Sequence, residues 1–118
     1  MSRAVLIALA GATGALLRWW IGDRVGVRSF PWATLGINVA GSLALGWVLA
    51  ATRWTPDVRA SVAVGFLGAF TTFSTFTFEA TAMVRDDRSA VAALYVGASV
   101  VLGLAAAAAG YVAGRTGP

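Results

Sequence analysis

Residues 58–84 read VRASVAVGFLGAFTTFSTFTFEATAMV, an apolar run in which Arg59 and Glu79 are the only charged side chains. A helix that crosses the hydrocarbon core of a bilayer needs about 20 predominantly apolar residues. Pro56 stands just before the run, where its fixed φ and missing N–H suit the first turn of a helix. The segment therefore predicts a transmembrane helix.

Three further apolar runs lie on either side of this one, at residues 4–21, 32–51 and 91–113. The segments between them, 22–30, 52–57 and 85–89, hold the charged and turn-forming residues. We therefore predict an all-α membrane protein with one domain over residues 1–118, built from four transmembrane helices at about 4–21, 32–51, 58–84 and 91–113.

The composition agrees with a multi-pass protein of the cell inner (plasma) membrane. Hydrophobic residues make up 58% of the chain and charged residues 12%, whereas soluble domains carry about 25% charged residues. The chain has no cysteine and no histidine, which excludes disulfides and the usual zinc sites. Its few acids are scattered along the chain, so we predict no enzyme activity and no organic cofactor.

The basic residues are all arginines, and most stand at the ends of apolar runs, so nucleic acid is not predicted as a partner. Four spans would place two sets of four on opposite sides: Arg3, Arg53, Arg59 and Arg115 against Arg24, Arg28, Arg85 and Arg88. An excess of arginine and lysine on the cytoplasmic side normally sets orientation. Without such an excess the chain is expected to insert both ways and to pair as an antiparallel, dual-topology homodimer.

Small residues recur at four-residue spacing in three of the runs, a pattern that lets helix backbones approach closely in lipid. The pattern predicts tight helix packing at Gly36, Ala40, Ala44, Gly65, Ala69, Ser99, Gly103, Ala107, Gly110 and Gly114.

Polar side chains inside the spans mark pathways or helix contacts, because they are costly in lipid. They recur at i, i+4 spacing and so share helix faces: Thr34, Asn38 and Ser42, then Thr71, Thr75 and Glu79, then Tyr95 and Ser99. The amide of Asn38 has more hydrogen-bonding groups than its own helix can satisfy. A contact with another helix and a contact with a ligand are both open for it.

Two charges and an aromatic stretch are the remaining unusual features. Arg18 lies near an interface, where it can snorkel or attract anions, and Glu79 pairs with an arginine or acts as a functional carboxylate. Residues 70–78, FTTFSTFTF, alternate hydroxyls with phenyl rings in mid-membrane. Threonine and phenylalanine are weak helix formers, so the composition of this stretch is compatible with an interruption of the helix. Phe73 and Phe76 could line an anion-tolerant path, although packed core aromatics suit the composition better.

Three motifs resemble those of the Fluc (CrcB-like) fluoride channels. They are GALLRW at residues 14–19, PWATLGINVAGS at 31–42, and GFLGAFTTFSTF at 65–76 followed by Glu79. Ala33, Ala69 and Phe70 depart from the residues usual in the family. The third motif is the most specific, and the resemblance extends over all four helices.

The resemblance implies an antiparallel homodimer with two fluoride pores and a third helix that is broken near residues 71–76. Backbone carbonyls of Gly68 and Thr71 from both chains would hold a sodium ion at the dimer centre. Phe73 and Phe76 would line the pores, and Asn38 would donate to fluoride. The remaining pathway residues would be Ser74, Thr75, Tyr95 and Ser99, with Arg18 in the aqueous vestibule and Thr34 and Glu79 as further polar groups in the spans.

The function that the resemblance implies is passive export of fluoride, which relieves fluoride toxicity. Amide and hydroxyl donors can replace the water around a small anion while a narrow lining excludes larger ones. The alternative is a proton-coupled exporter of organic cations of the small multidrug-resistance type, which would also be a four-helix, dual-topology dimer. Such exporters have a glutamate in their first helix, and residues 4–21 contain no acid.

Overall fold

The computed structural model describes residues 1–116, which form five helices. Helix α1 is Arg3–Val25 and α2 is Trp32–Ala50. Helix α3 comprises residues 56–70, with a π-helical stretch at Ser61–Leu67 between α-helical ends Pro56–Ala60 and Gly68–Phe70. Helix α4 is Phe73–Arg85 and α5 is Ser89–Thr116.

Four helical segments are long and apolar enough to cross a membrane, which confirms the four predicted spans: Arg3–Val25, Trp32–Ala50, Pro56–Arg85 and Ser89–Thr116. The first helix continues a turn beyond the predicted end at residue 21, through Asp23 and Arg24. Helical hydrogen bonding does not require apolar side chains, so hydropathy underestimates a helix that emerges into water. Gly26 ends this helix with φ of 73°, a conformation that glycine adopts readily.

The helices pack as two main pairs, α1 with α3 and α2 with α5, and α4 packs against α5. Glycines allow these close approaches. A Cβ atom on Gly110 of α5 would collide with the carbonyl oxygen of Leu43, and one on Gly14 of α1 would collide with that of Phe66. The predicted close packing at Gly110 is confirmed.

The prediction of tight packing was wrong at Gly36, because a methyl group added there would meet no neighbouring helix of this chain within 4 Å. The pattern also did not include Gly41 or Gly46, and both of these glycines lie in tight contacts. Four-residue spacing marks one helix face but does not say which face meets a neighbour. The sequence offered a choice of glycine faces on α2, and the packing uses two of them: Gly41 meets Thr71, and Gly46 meets Ala107 of α5.

Replacing Gly110 by alanine is expected to lower the free energy of unfolding by about 1–3 kcal/mol, because the added methyl group must push α2 and α5 apart. Thermal unfolding of the purified protein in detergent measures the effect. Gly97→Ala is the matched control, since Gly97 lies in the same helix with nothing within 4 Å of a built Cβ. Equal stability of the two variants would contradict the close helix contact.

Candidate functional site

The helical backbone is interrupted between α3 and α4, at the middle of the polar stretch. Thr71 has ψ of 156° and Thr72 has φ of −147° and ψ of 120°, both extended conformations. Thr71 closes the end of α3, since both its N–H and its hydroxyl donate to the carbonyl of Leu67. The hydroxyl of Thr72 accepts from the N–H of Thr75 and caps the start of α4.

Asn38 of α2 binds the interruption through both ends of its amide. Its Nδ2 donates to the carbonyl oxygen of Thr72 over 3.0 Å, and its Oδ1 accepts from the N–H of Thr72 over 2.8 Å. The sequence left two contacts open for Asn38, one with another helix and one with a ligand. The structure shows the contact with another helical segment. One of its two N–H bonds stays available, because the amide has two donors.

Arg18 of α1 lies at the other side of the interruption, where its Nε donates to the carbonyl oxygen of Ala69 over 3.1 Å. A guanidinium there complements the partial negative charge at the end of α3. Arg18 also lines a cavity of about 470 Å³, together with Asp23, Thr34, Thr72 and Thr75. The placement is compatible with the predicted vestibule.

A second cavity, of about 590 Å³, adjoins the first at the α1–α2 loop. The two cavities share Asp23, Thr34 and Thr75, and the outer one also reaches Glu79 and Arg88. Thr34, predicted as a polar in-span residue, is buried between them. The cavities together form a trough that runs from the loop to the interruption and that contains polar side chains among mostly apolar ones.

The rings of Phe73, Phe76 and Tyr95 form a row across α4 and α5. The centroids of Phe73 and Phe76 lie 5.9 Å apart, and those of Phe76 and Tyr95 lie 5.1 Å apart with an edge-to-face inclination. Phe73 is 76% exposed, whereas Tyr95 is entirely buried. Phenylalanine edges carry partial positive charge, so the exposed end of the row can face an anion.

Glu79 accepts a hydrogen bond from the Tyr95 hydroxyl over 3.1 Å. Within residues 1–116, the ion pairs are Arg3 with Asp57 and Arg85 with Asp86. No arginine pairs with Glu79 within the described part of this protomer. The Tyr95 hydroxyl, which the resemblance places along the fluoride path, donates to this carboxylate, and its ring is enclosed by α2, α4 and neighbouring rings.

The remaining predicted hydroxyls lie in different surroundings. Ser74 is exposed in the first turn of α4, with its Oγ 3.5 Å from the hydroxyl of Thr72, and Thr75 lines the trough. Ser99 lies one turn beyond Tyr95 on α5, and its buried Oγ has no hydrogen-bond partner within the described part of the chain. The three hydroxyls are therefore not gathered around one point.

Gly68 and Thr71 provide the groups that could hold a cation. Among the hydrogen bonds of residues 1–116, none is accepted by the carbonyl oxygen of either residue. Both residues line a groove of about 270 Å³ that also includes Asn38, Ser42 and Phe73. Free carbonyls at an unwound membrane helix are suitable ligands for sodium, and the described residues contain no cluster of acids for a divalent metal.

Tyr95→Phe is expected to lower the free energy of unfolding by about 1.5–3 kcal/mol, since it removes a hydrogen bond to a charged group and keeps the ring packing. Detergent unfolding measures the change. In a double-mutant cycle, Glu79→Gln should account for most of the same energy. Additive effects of the two substitutions would show that the hydroxyl and the carboxylate act independently.

The chain matches the family described as "CrcB-like protein, Camphor Resistance (CrcB)" over residues 5–111. It is 43% identical over 112 residues to a protein of Nitratidesulfovibrio vulgaris named "Fluoride-specific ion channel FluC", with 89% of this chain and 90% of that protein covered. A protein of the same name from Hyphomonas neptunium is 44% identical over 115 residues, with 90% of each chain covered. One from Hahella chejuensis is 40% identical over 114 residues, with 90% of this chain and 89% of the relative covered.

Proposed function

The chain belongs to the CrcB-like family, and from that premise we propose that it is a fluoride-selective ion channel of the plasma membrane that passively exports fluoride and relieves its toxicity. The observation that carries the proposal is the similarity to relatives named fluoride-specific channels over about nine-tenths of the chain. The chain is a multi-pass membrane protein and acts as a channel, not as an enzyme.

The site offers chemistry suited to a small, strongly hydrated anion. Asn38 keeps one amide N–H and lines the groove together with Phe73, the N–H groups of Phe73 and Ser74 open the first turn of α4, and Arg18 lines the neighbouring trough. N–H groups at the start of a half-helix favour anions. The aromatic row of Phe73 and Phe76 adds a narrow lining whose edges tolerate negative charge.

The working unit that we propose is an antiparallel homodimer with two pores, in which α3 and α4 are halves of one broken transmembrane helix. A groove that contains the polar side chains of Asn38, Ser42 and Thr71 among apolar residues lies open on the outside of the protomer. Such a groove is unfavourable against lipid, and a second copy would cover it. The even distribution of arginines at the two ends supports opposite orientations.

A sodium ion at the dimer centre is part of the same proposal. The carbonyl oxygens of Gly68 and Thr71 would hold it, since no hydrogen bond within residues 1–116 engages them and both residues line the groove that a second copy would cover. When bound, the ion would supply positive charge between the two chains.

The transport would need no energy input. Fluoride enters cells as neutral hydrofluoric acid and is trapped inside as the anion. A potential that is negative inside drives an anion outward by about 2.3 kcal/mol per 100 mV. Ser74, Thr75 and Ser99 would supply hydroxyl donors along the path, and Tyr95 would act by holding Glu79.

The test is ion efflux from liposomes that contain the purified protein, followed with a fluoride electrode and then with a chloride electrode. We expect rapid release of fluoride and negligible release of chloride. Folded protein that releases no fluoride would refute the channel. Proton-driven uptake of organic cations, lost in Glu79→Gln, would then support the exporter instead.

Opposite orientations are tested separately by accessible tags at the two termini in intact cells. Labelling of both termini from both sides of the membrane is expected. Labelling from one side only would rule out dual topology and leave fluoride selectivity to be judged by the efflux assay.

A further inference from the structure

The backbone groups of Thr72 show what Asn38 does for the fold of the site. In a continuous helix the N–H of Thr72 would donate to the carbonyl of Gly68, and the carbonyl of Thr72 would accept from the N–H of Phe76. Here both groups bind the side-chain amide of Asn38, at 2.8 and 3.0 Å. One asparagine therefore replaces both helical partners of one peptide residue.

The replacement has a direct consequence for Gly68. Its carbonyl loses the donor that a continuous helix would give it, and none of the hydrogen bonds within residues 1–116 replaces that donor. Thr71 is extended, and its carbonyl likewise accepts no hydrogen bond from the described part of the chain. Unpaired carbonyls are unfavourable at membrane depth, so a ligand is needed to satisfy them.

Nothing within the segment itself requires the interruption, because residues 70–73 contain neither glycine nor proline. The constraint comes from α2, which presents Asn38 and Gly41 on one face, one turn apart. A Cβ atom on Gly41 would collide with the side chain of Thr71. Helix α2 thus provides both the amide that binds Thr72 and the space that Thr71 occupies.

We propose that Asn38 is a positioning residue: its amide holds the chain open at Thr72 and thereby leaves the carbonyls of Gly68 and Thr71 for a monovalent cation such as sodium. The role is additional to the contact with fluoride, since one N–H of the amide stays available. Binding of a cation by the two carbonyls, the cation half of the inference, rests on the proposed function. The effect of Asn38 on the backbone at Thr72 rests on the hydrogen bonds of this chain alone.

The test compares Asn38→Ala, Asn38→Asp and, as a control in the same helix, Gly36→Ala, which adds a methyl group in open space. Amide hydrogen exchange at Thr72 is measured in fluoride-free detergent. In Asn38→Ala we expect exchange at least 10-fold faster than in the wild type. In Asn38→Asp, whose side chain still accepts from the N–H of Thr72, exchange should stay within about threefold of the wild type.

The second readout is the sodium concentration at half-maximal thermal stabilisation, measured without fluoride. We expect it to rise at least 10-fold in Asn38→Ala and to stay unchanged in Gly36→Ala. If Asn38→Ala does not fold, Asn38→Asp decides: Thr72 exchange as fast as in an unstructured peptide would overturn the proposal.

Two further outcomes separate this inference from the channel function. Unchanged Thr72 exchange in folded Asn38→Ala, together with lost fluoride efflux, would mean that Asn38 acts on fluoride alone and would overturn the positioning role. A wild-type protein whose stability does not respond to sodium would overturn the cation half. Failure of wild-type fluoride efflux would reject the proposed function. The exchange data would still test whether Asn38 holds the backbone at Thr72.

Discussion

Phe76→Ile is expected to lower the initial rate of fluoride efflux by about 10- to 100-fold. Phe76 is the middle ring of the row, in contact with Phe73 on one side and Tyr95 on the other. Isoleucine fills similar space but has no electropositive ring edge. A rate loss of this size corresponds to about 1.4–2.8 kcal/mol of lost anion stabilisation at the barrier.

The measurement is fluoride release per reconstituted protein, after gel filtration has shown that the variant is folded. Phe66→Ile is the control, because Phe66 stacks on Phe70 in α3 and lines neither of the two cavities nor the groove. Its rate should remain within about threefold of the wild type. Wild-type efflux in Phe76→Ile would remove the aromatic row from the pathway.

Arg18→Met should lower fluoride efflux by about 10- to 100-fold at low ionic strength. Arg18 and Asp23 are the charged residues that line the cavity of about 470 Å³ next to the interruption. Removing the arginine therefore leaves a cavity with a net negative charge. Clefts with one sign of charge change local ion concentration by about 10- to 1,000-fold. Salt screens such effects, so the loss should shrink as ionic strength rises.

The control is Arg24→Met, which removes an arginine that lies over the Trp20 ring on the same helix. We expect little change in its efflux. Arg18→Lys keeps the charge and should retain most of the rate, although its hydrogen bond to Ala69 changes. A loss in Arg18→Met that does not depend on salt would instead indicate that Arg18 acts through the backbone of α3.

Much of the membrane architecture could be predicted from local sequence. Residues 4–21 and 91–113 lie within helices that are a turn or less longer at either end than expected. Apolar runs of this length are difficult to accommodate outside a bilayer, and the helix is the form that satisfies their backbone there. The motifs at 31–42 and 65–76 also identified the family that the comparisons show.

The partners of individual polar groups could not be predicted in the same way. Glu79 and Tyr95 lie 16 positions apart, and Arg18 and Ala69 lie 51 apart. A periodic pattern shows which residues share a helix face but not which helix that face meets. Because several polar groups on each helix have similar chemistry, sequence alone left more than one pairing open.

Local sequence is sufficient to predict the four apolar spans, to show that acids and bases do not stand in a catalytic pattern, and to locate an unusual polar and aromatic stretch in the third span. The arrangement of that stretch depends on how the helices pack. No residue in it requires an interruption, and Asn38 comes from another helix, 34 positions away. Hydrogen bonds and close contacts depend on distances in space, and only the packing of α2 against α3 brings this amide to Thr72.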